Sequence, residues 1–529
     1  MNIIHAIHSR DVFLPLFKNT LQSWRSWEVY LHGLFGLGIQ NPMDLALFKE
    51  CTGLERPPAK AARESIVICG RRSGKSFIAA IVAVFLSVFV DWSPYLSPGE
   101  RGWIFIIAVD KAQAGIIKDY ISRFFHEVKC LRSQIVRESK EEIELRNGIS
   151  IGIKTASFRS VRGYTLLVCI LEELAFYRSD ESANPDKEIL AAVRPALATV
   201  PKSMLIGIST PYSRRGVLWE QFKNYFGTPG GAFVWKAPTR IMNPTIDRQL
   251  IENALREDPQ AARAEWEAEW REDIEAFISP ELVDAVMVPR RFELPRVEGI
   301  DYVGFVDPSG GRQDSFTLAI AHKRDGRVIL DVLRERRPPF QPKSVVIEFS
   351  EVLKSYGVRS VNADRYAGEW VAEAFRECGV EVGNPGLTAS EIYINFLPMV
   401  ANGTVELLDN ARLKAQLVGL ERRKRTGGRD LITHFQGQHD DVANCTAGAC
   451  VRAKVDEWPL GKLMYEANKS SEVGTEEEDF ESSSKYWLYD KPQKKTNSQV
   501  EDEAFLGEMN AEELEDRECQ VTILHGWRG

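Results

Sequence analysis

Short apolar runs closed by a glycine or a polar residue recur through the first half of the chain, at 65–69, 103–109, 166–171 and 204–208, with helix-period segments between them. Buried strands alternating with helices predict a mostly parallel sheet covered on both faces. The longest apolar run, 77–90, is too short to span a bilayer and predicts a buried helix. From about residue 300 the pattern changes. Runs at 302–306, 317–322 and 328–333 follow at short spacing, and Asp325-Gly326 between the last two is a hairpin signal, so the pattern predicts a three-stranded antiparallel meander. A helix over 343–356, a strand ending at Asp364, a helix over 368–378 and a last helix after Asp440 complete the series.

The order strand-strand-strand-helix-strand-helix is that of ribonuclease H-like folds. Two α/β units therefore emerge. Residues 1–60, with a Pro57-Pro58 stop, read as a lead-in, 61–280 as the first domain ending in a charged linker helix around 263–270, 295–455 as the second, and 456–529 as a flexible tail. At 529 residues two cores are the natural expectation. The net charge of −8 is unevenly spread: from Asp456 onward the chain carries 19 acidic and 8 basic side chains, leaving about +3 for residues 1–455. The body is therefore compatible with a nucleic-acid partner, and Arg422-Arg423-Lys424-Arg425 with Arg429, and Arg334, Arg336 and Arg337, are clusters able to neutralise phosphates. Eight scattered cysteines without a C-x-x-C pair fit reduced thiols, and the N-terminus lacks a secretory pattern. His434, His439, Cys445 and Cys450 match no standard zinc spacing.

The segment Cys69-Gly70-Arg71-Arg72-Ser73-Gly74-Lys75-Ser76 joins an apolar strand to an apolar helix. Backbone N–H groups at such a turn face phosphates, the lysine reaches the β and γ oxygens, and the serine hydroxyl ligates Mg²⁺. Cys69 stands where the first glycine of the usual pattern falls. Leu171-Glu172-Glu173 ends a later apolar strand: Glu172 is expected in the magnesium shell, in place of the usual Asp, and Glu173 as the base that polarises the attacking water. Ser209-Thr210, closing another strand, can sense the γ-phosphate, while Arg159 and Arg162 can supply a finger to a neighbouring subunit or serve the sheet edge.

The second unit offers Asp307, Asp364, Asp440 and Asp441. Hydrolysis of a phosphodiester by two metal ions requires several carboxylates converging on cations about 4 Å apart, and oxygen-only ligands favour Mg²⁺ or Mn²⁺. In a ribonuclease H-like sheet the first and fourth strands are neighbours, which would set Asp307 beside Asp364 with the last helix close by. Asp314 can approach the site or order its loop. His439 can protonate a leaving group or orient a ligand, and the second role is expected.

With the Gly70–Ser76 loop, residues 171–176, Ser209-Thr210-Pro211, the Glu269-Trp270-Arg271 linker, Asp307 to Asp314, Asp364 and His439-Asp440-Asp441 in that order, the chain resembles the large terminase subunit of tailed bacteriophages over about residues 45–455. The resemblance implies a RecA-like (ASCE) P-loop ATPase domain followed by a ribonuclease H-like nuclease. It implies ATP with Mg²⁺ in the first site and two Mg²⁺ or Mn²⁺ in the second. It places Arg71 or Arg72 near the γ-phosphate, Arg162 as the trans-acting finger and Ser209-Thr210 as the coupling element. It also implies double-stranded DNA as substrate, a portal protein and a small terminase subunit as partners, a homo-oligomeric ring on the procapsid, no membrane, and the cytoplasm of an infected bacterial host. The tail is expected to dock on portal or small subunit. A DNA-repair helicase-nuclease and an ATP-gated DNA-binding protein with an inactive nuclease fold are the competing readings.

Overall fold

A computed structural model describes residues 1–18, 20–156, 161, 163–179, 182, 184–312, 314–363, 369–383, 386–424, 430–435 and 438–454. Asp364, Arg159, Arg162, Arg425, Arg429 and the acidic tail thus lie outside the described residues. The described residues belong to one compact unit, 1–456.

The first sheet has eight strands: β1 (Glu64–Cys69), β2 (Gly102–Ala108), β3 (Ile135–Glu138), β4 (Glu142–Leu145), β5 (Ile149–Thr155), β6 (Thr165–Glu172), β7 (Met204–Ser209) and β8 (Phe233–Ala237), in the order β3-β4-β5-β2-β6-β7-β1-β8. From β5 to β8 every pairing is parallel, and only the β3–β4 and β4–β5 pairings at one edge are antiparallel. The apolar runs explain this, since β1 and β7 are buried on both faces, as parallel strands require. Strand β7 separates β1 from β6, so the loop after β1 and the carboxylates closing β6 emerge at the same sheet end. One face is covered by the helix Lys75–Val88 together with the N-terminal residues, whose Ile3, Phe13, Trp27, Tyr30 and Phe48 are buried in the same core.

The linker departs from expectation. The helix Pro259–Trp266 stops before the predicted end because Ala268 turns left-handed at φ 55°. Trp270 then packs against Trp219 and Phe222, and Arg271 bridges to Ser213. Beyond it β9 (Ile274–Ala276) joins β16 (Glu421–Arg423) and β17 (Leu431–Thr433) in a small antiparallel sheet in the order β17-β16-β9, which the sequence pattern did not disclose.

The remaining six strands form a ribonuclease H-like sheet in the order β14-β13-β10-β11-β12-β15, made of β10 (Tyr302–Asp307), β11 (Phe316–Arg324), β12 (Arg327–Arg336), β13 (Ser360–Ala363), β14 (Glu381–Gly383) and β15 (Val405–Glu406). The meander β10–β11–β12 is antiparallel, and Asp325 (φ 51°) and Gly326 (φ 77°) both take the left-handed conformation that a tight hairpin demands. Strand β13 runs parallel to β10, with Val306 opposite Ala363. The helix Asp441–Lys454 lies against the meander, and only a glycine admits it so closely: a Cβ on Gly448 would stand 2.5 Å from the Phe305 ring. No helix among the described residues is long and apolar enough to cross a membrane.

Candidate functional sites

The first site lies where β1 enters the helix Lys75–Val88. Gly74 starts that helix at φ 89° and Arg72 sits at φ 60°, so the loop makes two left-handed turns, and the Arg71 N–H donates to the Glu265 carbonyl at 2.6 Å. The displaced glycine has a steric cause. Cys69 is the last, fully buried residue of β1, whereas a Cβ on Gly70 would fall 2.1 Å from Thr239 Oγ1 and 2.7 Å from the Glu265 carbonyl. The loop backbone is held from outside by residues that carry no motif: Trp27 Nε1 donates to the Ser73 carbonyl (2.7 Å), Thr239 Oγ1 to that of Arg71 (2.9 Å) and Asn243 Nδ2 to that of Arg72 (2.8 Å). The Arg71 guanidinium pairs with Glu265 at 3.1 Å.

Inside the loop, Lys75 Nζ donates to the carbonyls of Cys69 (3.2 Å) and Gly70 (3.0 Å) and to Thr210 Oγ1 (3.0 Å). Ser76 Oγ donates to Glu172 Oε1 at 2.6 Å, while Glu172 Oε2 is buried without a hydrogen-bond partner among the described residues. Burial pushes the Glu172 carboxyl up to about 7, with the Ser76 hydrogen bond opposing the shift. Glu173, held left-handed at φ 51°, takes the Thr210 N–H (3.0 Å) and the Ser209 hydroxyl (3.2 Å) on Oε2 and lies 3.7 Å from Lys75 Nζ. The fold therefore brings Lys75, Glu173, Ser209 and Thr210 into one bonded group and pairs Ser76 with Glu172 beside it. A serine hydroxyl beside a buried carboxylate with an orphaned oxygen fits a hard divalent cation such as Mg²⁺.

The second site is built on β10 and the start of the helix Asp441–Lys454. Asp307 Oδ2 accepts from Asn444 Nδ2 at 2.8 Å. Asp441 Oδ2 accepts the Ser315 N–H at 3.0 Å and its carbonyl accepts the Thr317 hydroxyl at 2.9 Å, so the helix start is fixed to β11. Burial, with Asp440 and Asp314 adding to it, raises the Asp441 carboxyl to about 6. Asp440 accepts from Tyr393 OH at 2.8 Å and pairs with His434 Nδ1 at 2.9 Å. His439 pairs with Asp314 at 3.1 Å. Asn444 thus ties Asp307 to the helix that Asp441 opens and Asp440 precedes, while Asp364 lies outside the described residues. The donors are carboxylate oxygens, which suit Mg²⁺ or Mn²⁺ in kind. Among the described residues no three His, Cys, Asp or Glu side chains converge into a finished metal cage.

Sequence reasoning missed Tyr393, His434 and Asn444 as partners of these acids. Asn444 had a readable signal, since it lies three residues after Asp441 and so on the same helix face; Tyr393, 47 residues before Asp440, had none.

Comparison with known proteins places these sites in context. No protein-family model matches the chain, and no curated protein does. Solved structures do. The HK97 bacteriophage large terminase is similar at 16% identity and a TM-score of 0.35, over 80% of this chain and 99% of that one. The ATPase domain of the Thermus phage P74-26 large terminase is similar at 20% identity and a TM-score of 0.33, over 46% and 98%. The large terminase nuclease of the thermophilic phage G20c, solved with bound magnesium, is similar at 16% identity and a TM-score of 0.29, over 33% and 97%. These three structures are all of phage large terminases or their domains.

Proposed function

We propose that this chain is a DNA-packaging motor subunit that hydrolyses ATP to drive double-stranded DNA into a procapsid and cuts concatemeric DNA by metal-dependent phosphodiester hydrolysis. The observation that carries this reading is the pairing, on one chain, of a phosphate loop wired to Glu172 and Glu173 with a second, separate set of aspartates on a ribonuclease H-like sheet. In the first site Ser76 and Glu172 would hold Mg²⁺, and Lys75 would exchange its bonds to the loop carbonyls for phosphate oxygens. Glu173 would orient and deprotonate the attacking water. Because Glu173 is bonded to Ser209 and Thr210, a change at the γ-phosphate reaches β7 directly. Arg162 is assigned as the finger and Arg71 or Arg72 as a γ-phosphate contact.

In the second site Asp307 and Asp364, with Asp440 or Asp441 as the direct ligand from the helix start, form the carboxylate set for two Mg²⁺ or Mn²⁺, which when bound would activate water and stabilise the leaving oxygen. Residues 61–280 and 295–455 are the corresponding domains. Portal protein, small terminase subunit, a ring of identical subunits and the infected host's cytoplasm complete the proposal. The test is plasmid cleavage with Mn²⁺ beside ATP hydrolysis. Asp307→Ala and Asp364→Ala should each abolish cleavage and spare ATP turnover, and Lys75→Ala should do the reverse. Unchanged DNA processing in both aspartate variants would favour the ATP-gated DNA-binding reading.

A further inference from the structure

Resting on the nuclease reading, we infer that the two adjacent aspartates at the start of the last helix have different roles: Asp441 faces the metal with Asp307, whereas Asp440 is an anchor, and Tyr393 is the positioning residue that makes it one. Both carboxylate oxygens of Asp440 are held by side chains. Its Oδ2 accepts from Tyr393 OH at 2.8 Å, its Oδ1 pairs with His434 Nδ1 at 2.9 Å, and its carbonyl accepts the Asn444 N–H at 2.7 Å. Each carboxylate oxygen keeps a second lone pair, but two donors fixed on opposite oxygens set the plane and direction of the Asp440 carboxylate, so it is held in place by the protein and not free to turn toward a cation.

The grip itself is rigid. Tyr393 is fully buried on the helix Ala389–Ala401, whose start carries a complete Thr388/Glu391 capping box. One turn earlier, Ser390 Oγ both donates to the Ile432 carbonyl (3.1 Å) and accepts the Ile432 N–H (3.0 Å). That pair of hydrogen bonds ties the helix to β17, and β17 delivers His434 two residues later. Tyr393 and His434 therefore approach Asp440 as two jaws of one bracket, closed at Ser390–Ile432.

Asp441 is held differently. Only Oδ2 is engaged, by the Ser315 N–H, and no hydrogen bond to Oδ1 is formed among the described residues. Asn444, one turn on, donates to Asp307. The bracket on Asp440 thus fixes the rotation of the helix start, and that rotation sets both Asp441 and the Asn444 amide that orients Asp307.

The test measures Mn²⁺ binding to the full chain by calorimetry or electron paramagnetic resonance, next to the Mn²⁺ dependence of plasmid cleavage, with ATP hydrolysis as the control for folding. Asp441→Asn should weaken Mn²⁺ binding at least 100-fold, and Asp440→Asn, which keeps an acceptor for Tyr393, less than 10-fold. Tyr393→Phe should raise the half-saturating Mn²⁺ concentration about 10-fold, with cleavage restored at saturating metal, in the range seen when groups that orient metal ligands are removed. A merely structural Tyr393 would lower thermal stability without moving the metal dependence. Equal loss of Mn²⁺ binding in Asp440→Asn and Asp441→Asn, or an unshifted metal dependence in Tyr393→Phe, overturns the inference and leaves the nuclease reading intact. A wild-type chain that neither binds Mn²⁺ nor cuts overturns both.

Discussion

Glu172→Gln should stabilise the magnesium-free protein while abolishing its ATP turnover, and the size of the gain should depend on pH. Burial raises the Glu172 carboxyl from 4.5 to about 7 in the folded chain. Between those values the folded state holds a proton that the unfolded state has released, so wild-type stability falls as pH rises through that window. A tenfold difference in proton affinity between the two states is worth about 1.4 kcal/mol. The accumulated penalty is then about 1 kcal/mol at pH 5 and about 3 kcal/mol at pH 8. Glutamine resembles the protonated acid: it keeps an oxygen for the Ser76 hydroxyl and never ionises. Urea unfolding followed by tryptophan fluorescence reports on this part of the fold, since Trp27, Trp92 and Trp235 are buried in its core. With an m-value of about 3 kcal/mol/M, the variant's midpoint should exceed wild type by about 1 M at pH 8 and by about 0.3 M at pH 5. Adding Mg²⁺ with a non-hydrolysable ATP analogue should close the gap, because only the carboxylate gains a cation. A midpoint difference that is the same at both pH values, or a variant less stable than wild type at pH 8, refutes the reasoning.

Gly70→Ala should destabilise the first sheet by about 2 kcal/mol in urea unfolding, because its Cβ would overlap Thr239 Oγ1 and the Glu265 carbonyl, both part of the loop's outer support. Glu421→Ala removes a fully buried carboxylate that pairs with Arg215 and accepts from Tyr212 OH at 3.0 Å; leaving Arg215 uncompensated should cost about 3 kcal/mol in the same assay, and Arg215→Ala should not add to it fully in a double-mutant cycle. His434 is held above its ordinary pKa of 6.5 chiefly by its hydrogen bond to Asp440. Its contribution to stability should be complete below pH 6.5 and disappear as pH rises through the folded value, a dependence read by NMR titration of the ring and expected to vanish in Asp440→Asn.

The strands were legible because a parallel, doubly covered sheet needs continuous apolar runs and a meander needs alternation with tight turns. The observed β1, β2, β6, β7 and β10–β12 fall within three residues of the predicted runs. Lys75, Ser76, Glu172 and Glu173 were legible for the same reason, since each closes or opens such a run. The linker was not. Trp270 and Ala268 look helical in isolation, and past the left-handed Ala268 the Trp270 ring packs on Trp219 and Phe222, residues about 50 positions away. The small sheet β17-β16-β9 escaped notice because strands of three residues carry almost no period of their own.

The sequence by itself determined which residue types can handle phosphate and metal, and in what order, because those are properties of side chains at element ends. Which oxygen of Glu172 is left without a donor, why the glycine stands at 70 rather than 69, and which of two adjacent aspartates is clamped were decided by the tertiary structure alone. Those outcomes depend on Thr239, Tyr393 and His434, which arrive from distant segments, and a hydrogen bond is set by where two groups meet rather than by where either stands in the chain.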